Sequence, residues 1–176
     1  MKVEKIVTGT LDENCYVLIK NNTCLVVDPG DDYDKIKEVI GEDKVLAVLI
    51  THSHFDHVGA LRNFLKKKSI KIFKKSNTQD EGIITIGDFT FQTLYTQGHS
   101  SDSITFYFVE DKMMFVGDFI FKDSIGRCDL PTGSVPEMDK SIEKIKKYPG
   151  DITLYTGHGE ITSLEQEIKS NPYFIK

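Results

Sequence analysis

Residues 52 to 57 read His-Ser-His-Phe-Asp-His, three imidazoles and a carboxylate within six positions. Imidazole nitrogen and carboxylate oxygen without a thiolate form a ligand set suited to Zn²⁺, Fe²⁺ or Mn²⁺. In extended chain alternate side chains point the same way. His52 and His54 therefore reach one cation together, whereas Asp56 and His57 follow at a turn and could hold a second. Asp56 alone has a plainer reading as a helix N-cap. Four such residues at this spacing are not accounted for by a cap.

The surrounding elements must present this cluster. Before it runs Val45-Leu46-Ala47-Val48-Leu49-Ile50, continuously apolar, as in a strand buried on both faces. After it, Val58, Leu61, Phe64 and Leu65 recur at helical spacing. The cluster thus lies on a strand-to-helix turn, and the crevice at strand ends is where α/β proteins bind their ligands. The same reading predicts strands near residues 2–8, 15–20, 24–28, 45–51, 70–74, 83–86, 89–96, 103–109, 112–117 and 152–156. Helices are expected near 33–40, 57–68, 137–148 and 163–170. Asn21-Asn22 suits a tight hairpin. Ser134-Val135-Pro136-Glu137 and Ser163-Leu164-Glu165-Gln166 read as capping boxes. Spacing alone specifies a mixed α/β fold.

With 176 residues, 39% of them hydrophobic, the chain suits a single domain over 1–176 with a real core. A net charge of −5 leaves no global footprint for nucleic acid. The lysines at 66–68, 71, 74 and 75 read as a solvated face. No apolar run approaches membrane-spanning length and no leader pattern opens the chain. Three cysteines without framework spacing argue for a reducing compartment. A cytoplasmic protein acting on a small molecule, with neither nucleic acid nor membrane as partner, is expected. Its oligomeric state is left open.

His-x-His-x-Asp-His resembles the signature of the metallo-β-lactamase-fold hydrolases. Further stretches extend the resemblance: Gly98-His99, Gly117-Asp118 and Gly157-His158, each after an expected strand, and the opening stretches Asn14-Cys15-Tyr16 and Val26-Val27-Asp28-Pro29-Gly30. The chain has five histidines, and every one falls on a ligand position of the family pattern. The loop from Asp118 to Pro131 is similar to that of small glyoxalase II-like members. Two departures flank His99: Gln97 stands where many relatives carry Pro, and Ser101-Asp102 replaces Pro-Gly.

The resemblance implies an αβ/βα four-layer sandwich and two divalent ions, zinc first, with iron or manganese as alternatives. His52, His54 and His99 would hold one ion and Asp56, His57 and His158 the other, with Asp118 bridging. Asp56 and Asp118 would then be the catalytic carboxylates, around a metal-bridging hydroxide. Asp28 is the candidate to orient a ligand histidine from behind. Arg127 is the candidate to bind a substrate carboxylate, unless it pins its own loop through Asp123 or Asp129. The implied reaction is hydrolysis of a thioester of the hydroxyacylglutathione type. A single-iron persulfide dioxygenase, a lactonase and a β-lactamase are the other members of the fold that the ligands allow.

Overall fold

The computed structural model describes residues 1–175. The N-terminal half builds a five-stranded sheet from β1 (Lys2–Thr8), β2 (Glu13–Lys20), β3 (Thr23–Val27), β4 (Lys44–Leu49) and β5 (Lys71–Phe73), in that spatial order. The first three strands pair antiparallel; β4 and β5 add in parallel. The β2–β3 hairpin turns on Asn21 (φ 50°) and Asn22 (φ 58°). Both central residues of a type I′ turn need this left-handed conformation, which asparagine tolerates.

β6 (Ile83–Ile86), β7 (Phe89–Tyr95), β8 (Ile104–Phe108) and β9 (Met113–Gly117) run as an antiparallel meander. A short ribbon, β10 (Ile120–Phe121) and β11 (Ser124–Ile125), follows. β12 (Thr153–Thr156) then lies parallel to β9, and β13 (Thr162–Ser163) closes the edge. The second sheet has the order β13-β12-β9-β8-β7-β6.

Three apolar layers make this a four-layer sandwich. Between the sheets, Leu18, Leu25, Val27 and Leu49 meet Phe89, Phe91, Phe106, Phe108 and Phe115. Behind the first sheet, Val26, Val48 and Ile50 pack on Ile36 and Ile40 of α1 (Tyr33–Ile40) and on Phe64. Leu49 and Val48 thus enter opposite layers, so the strand leading to the histidines is buried on both faces and reads as an unbroken apolar run. Behind the second sheet, Met114 and Leu154 pack on helices downstream of the ribbon. Cys15 and Cys24 are buried core residues. No helix among the described residues is long and apolar enough to cross a membrane.

The helix expected at 57–68 is instead two short ones, α2 (Phe55–Val58) and α3 (Leu61–Leu65). The interruption comes from tertiary contact. The Ala60 N–H, at 3.0 Å from the carbonyls of both Pro29 and Gly30, bonds to the loop after β3. Gly59 lies so close that a Cβ there would sit 2.2 Å from the Gly30 oxygen. Helical spacing continues through 59–60, but the backbone donor is used elsewhere. His54, not Asp56, occupies the N-cap position of α2, and Asp56 falls in the first turn with its carboxylate free for other work. The two downstream helices are α4 (Val135–Ile145) and α5 (Leu164–Ser170). They begin where the capping residues indicated: Ser134 Oγ accepts from the Glu137 N–H and Ser163 Oγ from the Gln166 N–H, each at 3.3 Å.

Candidate metal centre

Five strands deliver the site. Asp28 follows β3, His52 and His54 follow β4, His99 follows β7, Asp118 follows β9 and His158 follows β12. The site therefore lies along one rim of the sandwich, at the C-terminal ends of these strands.

Two ligand triads converge there. One donor atom each from His52, His54 and His99 lie within 4.8 Å of one another, as do donors from Asp56, His57 and His158. Asp118 lies between them. Its Oδ1 is 3.3 Å from His57 Nε2, and its Oδ2 is 3.5 Å from His99 Nε2 and 3.7 Å from His158 Nε2. The carboxylate thus touches imidazoles of both triads.

The rings are aimed from behind. His99 Nδ1 donates to the Arg127 carbonyl at 2.8 Å and His158 Nδ1 to the Leu11 carbonyl at 3.0 Å, which leaves both Nε2 atoms facing inward. Asp28 is the hub for the others. Its Oδ2 is 3.1 Å from His57 Nδ1, and its two oxygens accept from the Thr51 N–H at 2.7 Å and Thr51 Oγ1 at 2.5 Å. Thr51 Oγ1 in turn lies 3.1 Å from His52 Nδ1. One carboxylate therefore orients a histidine from each triad.

Buried polar groups normally find a hydrogen-bond partner. Among the described residues, four buried side-chain atoms have none: His52 Nε2, His57 Nε2, Asp118 Oδ1 and Glu13 Oε1. The first three belong to the ligand set and point where cations would take their lone pairs, so the donors fit two divalent ions. At His52 the electrostatics agree. Burial, and next the charge of neighbouring imidazoles, hold His52 well below its ordinary value, so its ring stays neutral and ligating. Burial would lower His57 as well, but its bonds to Asp118 and Asp28 carry it well above, so a cation would take the place of the proton that these carboxylates otherwise hold on the ring. Asp118, despite burial, is kept below the usual carboxylate range by His57.

Glu13 was not legible as part of this centre. It is fully buried beside His57, with Oε1 3.7 Å from His57 Nδ1 and Oε2 accepting from Thr8 Oγ1 at 2.7 Å. Burial, reinforced by Asp28, pushes its carboxyl up to about 9, so it sits behind the ligands as a neutral acid. An isolated glutamate opening a strand carries no signal of this in sequence. The neighbouring Asn14 and Tyr16 anchor the other end of the centre. Asn14 Nδ2 and Tyr16 OH donate to the Thr156 carbonyl, at 3.0 and 2.7 Å, just ahead of His158. The loop at His99 is held despite its unusual sequence, since Ser141 Oγ donates to the Gln97 carbonyl at 2.6 Å and Ser100 Oγ to Asp102 at 2.7 Å.

A cleft of about 860 Å³ opens over the centre, and Arg127 lies on its wall. The guanidinium is engaged, however: Nε and Nη2 each donate to an Asp129 oxygen at 2.7 Å, on an exposed loop. Asp123 makes other contacts, accepting from Ser170 Oγ at 2.8 Å.

The family model described as "Metallo-beta-lactamase superfamily" matches residues 8–83 and 75–158. A probable metallo-hydrolase of Bacillus subtilis is 31% identical over 98% of this chain and 97% of its own. A hydroxyacylglutathione hydrolase of Haemophilus influenzae is 28% identical over 98% of each. Among solved structures, the B3 metallo-beta-lactamase BLEG-1 superposes with a TM-score of 0.91 at 29% identity, covering 99% of this chain and 100% of that one. The di-iron-bound form of TTHA1623 superposes at 0.84 with 28% identity, over 97% and 99%.

Proposed function

The chain belongs to the metallo-beta-lactamase superfamily, and we propose that it is a binuclear metal-dependent hydrolase that cleaves an acyl thioester of the hydroxyacylglutathione type. The observation that carries this reading is the pair of triads with Asp118 between them, with His52 Nε2, His57 Nε2 and Asp118 Oδ1 buried there without a hydrogen bond. Two divalent cations held by those residues would acidify a water and polarise an acyl carbonyl at neutral pH. The set of five imidazoles and two carboxylates suits zinc, iron or manganese, and the di-iron form of TTHA1623 supports iron alongside zinc.

The chain's own groups supply orientation and charge. Asp56 Oδ2 and Asp118 Oδ2 lie 3.3 and 3.7 Å from His158 Nε2, and both residues line the cleft. With metal bound they would offset part of its charge, and their remaining oxygens would accept hydrogen bonds from a water in the cleft. The Arg127 and Leu11 carbonyls hold His99 and His158 in one tautomer, so neither ring turns as substrate enters. The likeness to a hydroxyacylglutathione hydrolase over the full chain supports a thioester as substrate.

The test joins elemental analysis of the protein purified from its own host with a panel of four compounds: a glutathione thioester, a glutathione persulfide, a homoserine lactone and a β-lactam. About two metal ions per chain and turnover of the thioester are expected. One iron per chain with oxygen uptake on the persulfide would replace this reading by the dioxygenase one.

Arg127→Ala is expected to lower kcat/KM by at most a few-fold, and equally on charged and uncharged thioesters. Its fork pairs with Asp129 in solvent, where ion pairs contribute little, and its backbone carbonyl holds His99 whatever the side chain. Steady-state kinetics on the two substrates checks this. A loss confined to the charged thioester, as a raised KM, would mean that a substrate carboxylate displaces Asp129 from the fork.

A further inference from the structure

We infer that the cleft above the metal centre recognises an uncharged, apolar arm of the substrate, so that the enzyme's preferred class is a medium-chain or aryl acyl thioester whose carrier is not read by charge. This rests on the hydrolase reading and narrows it: thioester cleavage is kept, while an apolar acyl group on a carrier not read by charge takes the place of the hydroxyacyl group on glutathione. The walls carry the inference. Phe55, the first residue of α2 beside the ligand His54, is 74% exposed, and Leu11, whose carbonyl holds His158, is 51% exposed. Both line the same opening as Phe121, Ile125, Leu130 and Pro131.

Single exposed apolar residues are ordinary on protein surfaces. Six line one opening, three of them exposed and three half-buried, and two lie on segments that hold metal ligands. Phe121 extends this lining to the centre itself, its ring centroid 6.0 Å from that of His158.

The charges in the cleft point the same way. Among the described lining residues Arg127 is the one Lys or Arg, and its fork is taken by Asp129. Asp102, an anion, lines the same cleft. A carrier such as glutathione, with two carboxylates, finds no unengaged cation there. An alkyl or aryl arm finds surface that gains from being covered, by roughly two- to fourfold in affinity per methylene buried.

The test separates the arm from the reaction. Straight-chain hydroxamic acids, from acetohydroxamic to octanohydroxamic, bind metal by the same head group and differ only in the chain. Calorimetric titration of the metal-loaded protein is expected to show Kd falling about two- to fourfold per methylene until the cleft is filled. In the double variant Phe55→Ser, Leu11→Ser that progression should flatten. Both side chains are largely in water, so the fold should survive, as a thermal melt would verify.

In parallel, acyl thioesters of one small neutral thiol, acetyl to octanoyl, should rise in kcat/KM along the same series. A Kd that does not change with chain length, or a progression that the double variant leaves intact, overturns the apolar arm. Hydroxamates that follow the series while no thioester is cleaved would leave the arm standing and sink the thioester reading. Thioesters cleaved without regard to chain length, with flat hydroxamate binding, would do the reverse.

Discussion

Asp118→Ala is expected to lose both metal and activity, with bound metal falling from about two ions per chain to one or fewer. Asp118 is the residue in contact with imidazoles of both triads, through His57 on one oxygen and His99 and His158 on the other. Its removal leaves three inward nitrogens without their shared anion, and the His52, His54, His99 triad is left with no carboxylate to balance a divalent charge. Charge stabilisation by such ions amounts to several kcal/mol in the transition state. At about 1.4 kcal/mol per tenfold, the loss in kcat is on the order of 10³ or more. His52→Ala should come close to this, since His52 Nε2 is a buried donor with no hydrogen bond. Asp118→Asn separates shape from charge: it keeps the volume, loses the anion, and should still bind metal poorly. Elemental analysis and kinetics on the same preparations decide the matter. A metal-replete Asp118→Ala protein with unchanged turnover would show that Asp118 does not bridge.

The parts of this centre differ in how far they were legible from sequence, for physical reasons. His52, His54, Asp56 and His57 are neighbours in the chain, and a buried strand before them and helical spacing after them place the turn that presents them. His99, Asp118 and His158 are each isolated in sequence, and only the resemblance to a family tied them to the first cluster. The structure brings all seven side chains to one strand-end rim.

What stayed hidden depends on contacts through space. Glu13 is recognisable only once β2 is laid beside α2. Thr51 matters because Asp28 grips both its N–H and its hydroxyl. The break between α2 and α3 follows from a bond to the Pro29 and Gly30 carbonyls, which no periodicity in 57–68 encodes. The strands β10, β11 and β13 are two residues each, too short for alternation to register. Arg127 has two acidic neighbours in the same loop; its fork pairs with Asp129, while Asp123 accepts from Ser170, a division that follows from how the loop folds and not from its spacing.

Gly157→Ala is expected to disable the centre without touching a single ligand. A Cβ at this position would sit 2.1 Å from Asp118 Oδ1 and 2.8 Å from His57 Cε1, with the Gly117 carbonyl carbon at 3.0 Å. Comfortable contacts between such atoms are near 3.5–4.0 Å, so something must move by about 1 Å or more. The Gly157 N–H bonds the Gly117 carbonyl at 2.9 Å, and its own carbonyl accepts from the Asn14 N–H at 2.7 Å, so the backbone is held on both sides. The movable part is therefore the Asp118 carboxylate, together with the His57 ring that Asp28 anchors. A displacement of this size in a reacting array costs about 10²-fold in rate. Overpacking of this kind costs the fold about 1–3 kcal/mol, which leaves a domain able to fold while its centre is distorted. The variant should melt as a cooperative unit at a lower temperature, bind less than its full metal, and turn over about a hundredfold more slowly. Melting, metal content and kcat measured together identify the cause. Full metal content with wild-type kcat would mean that Asp118 and His57 have room to yield, and that their spacing matters less than the close approach of Gly157 implies.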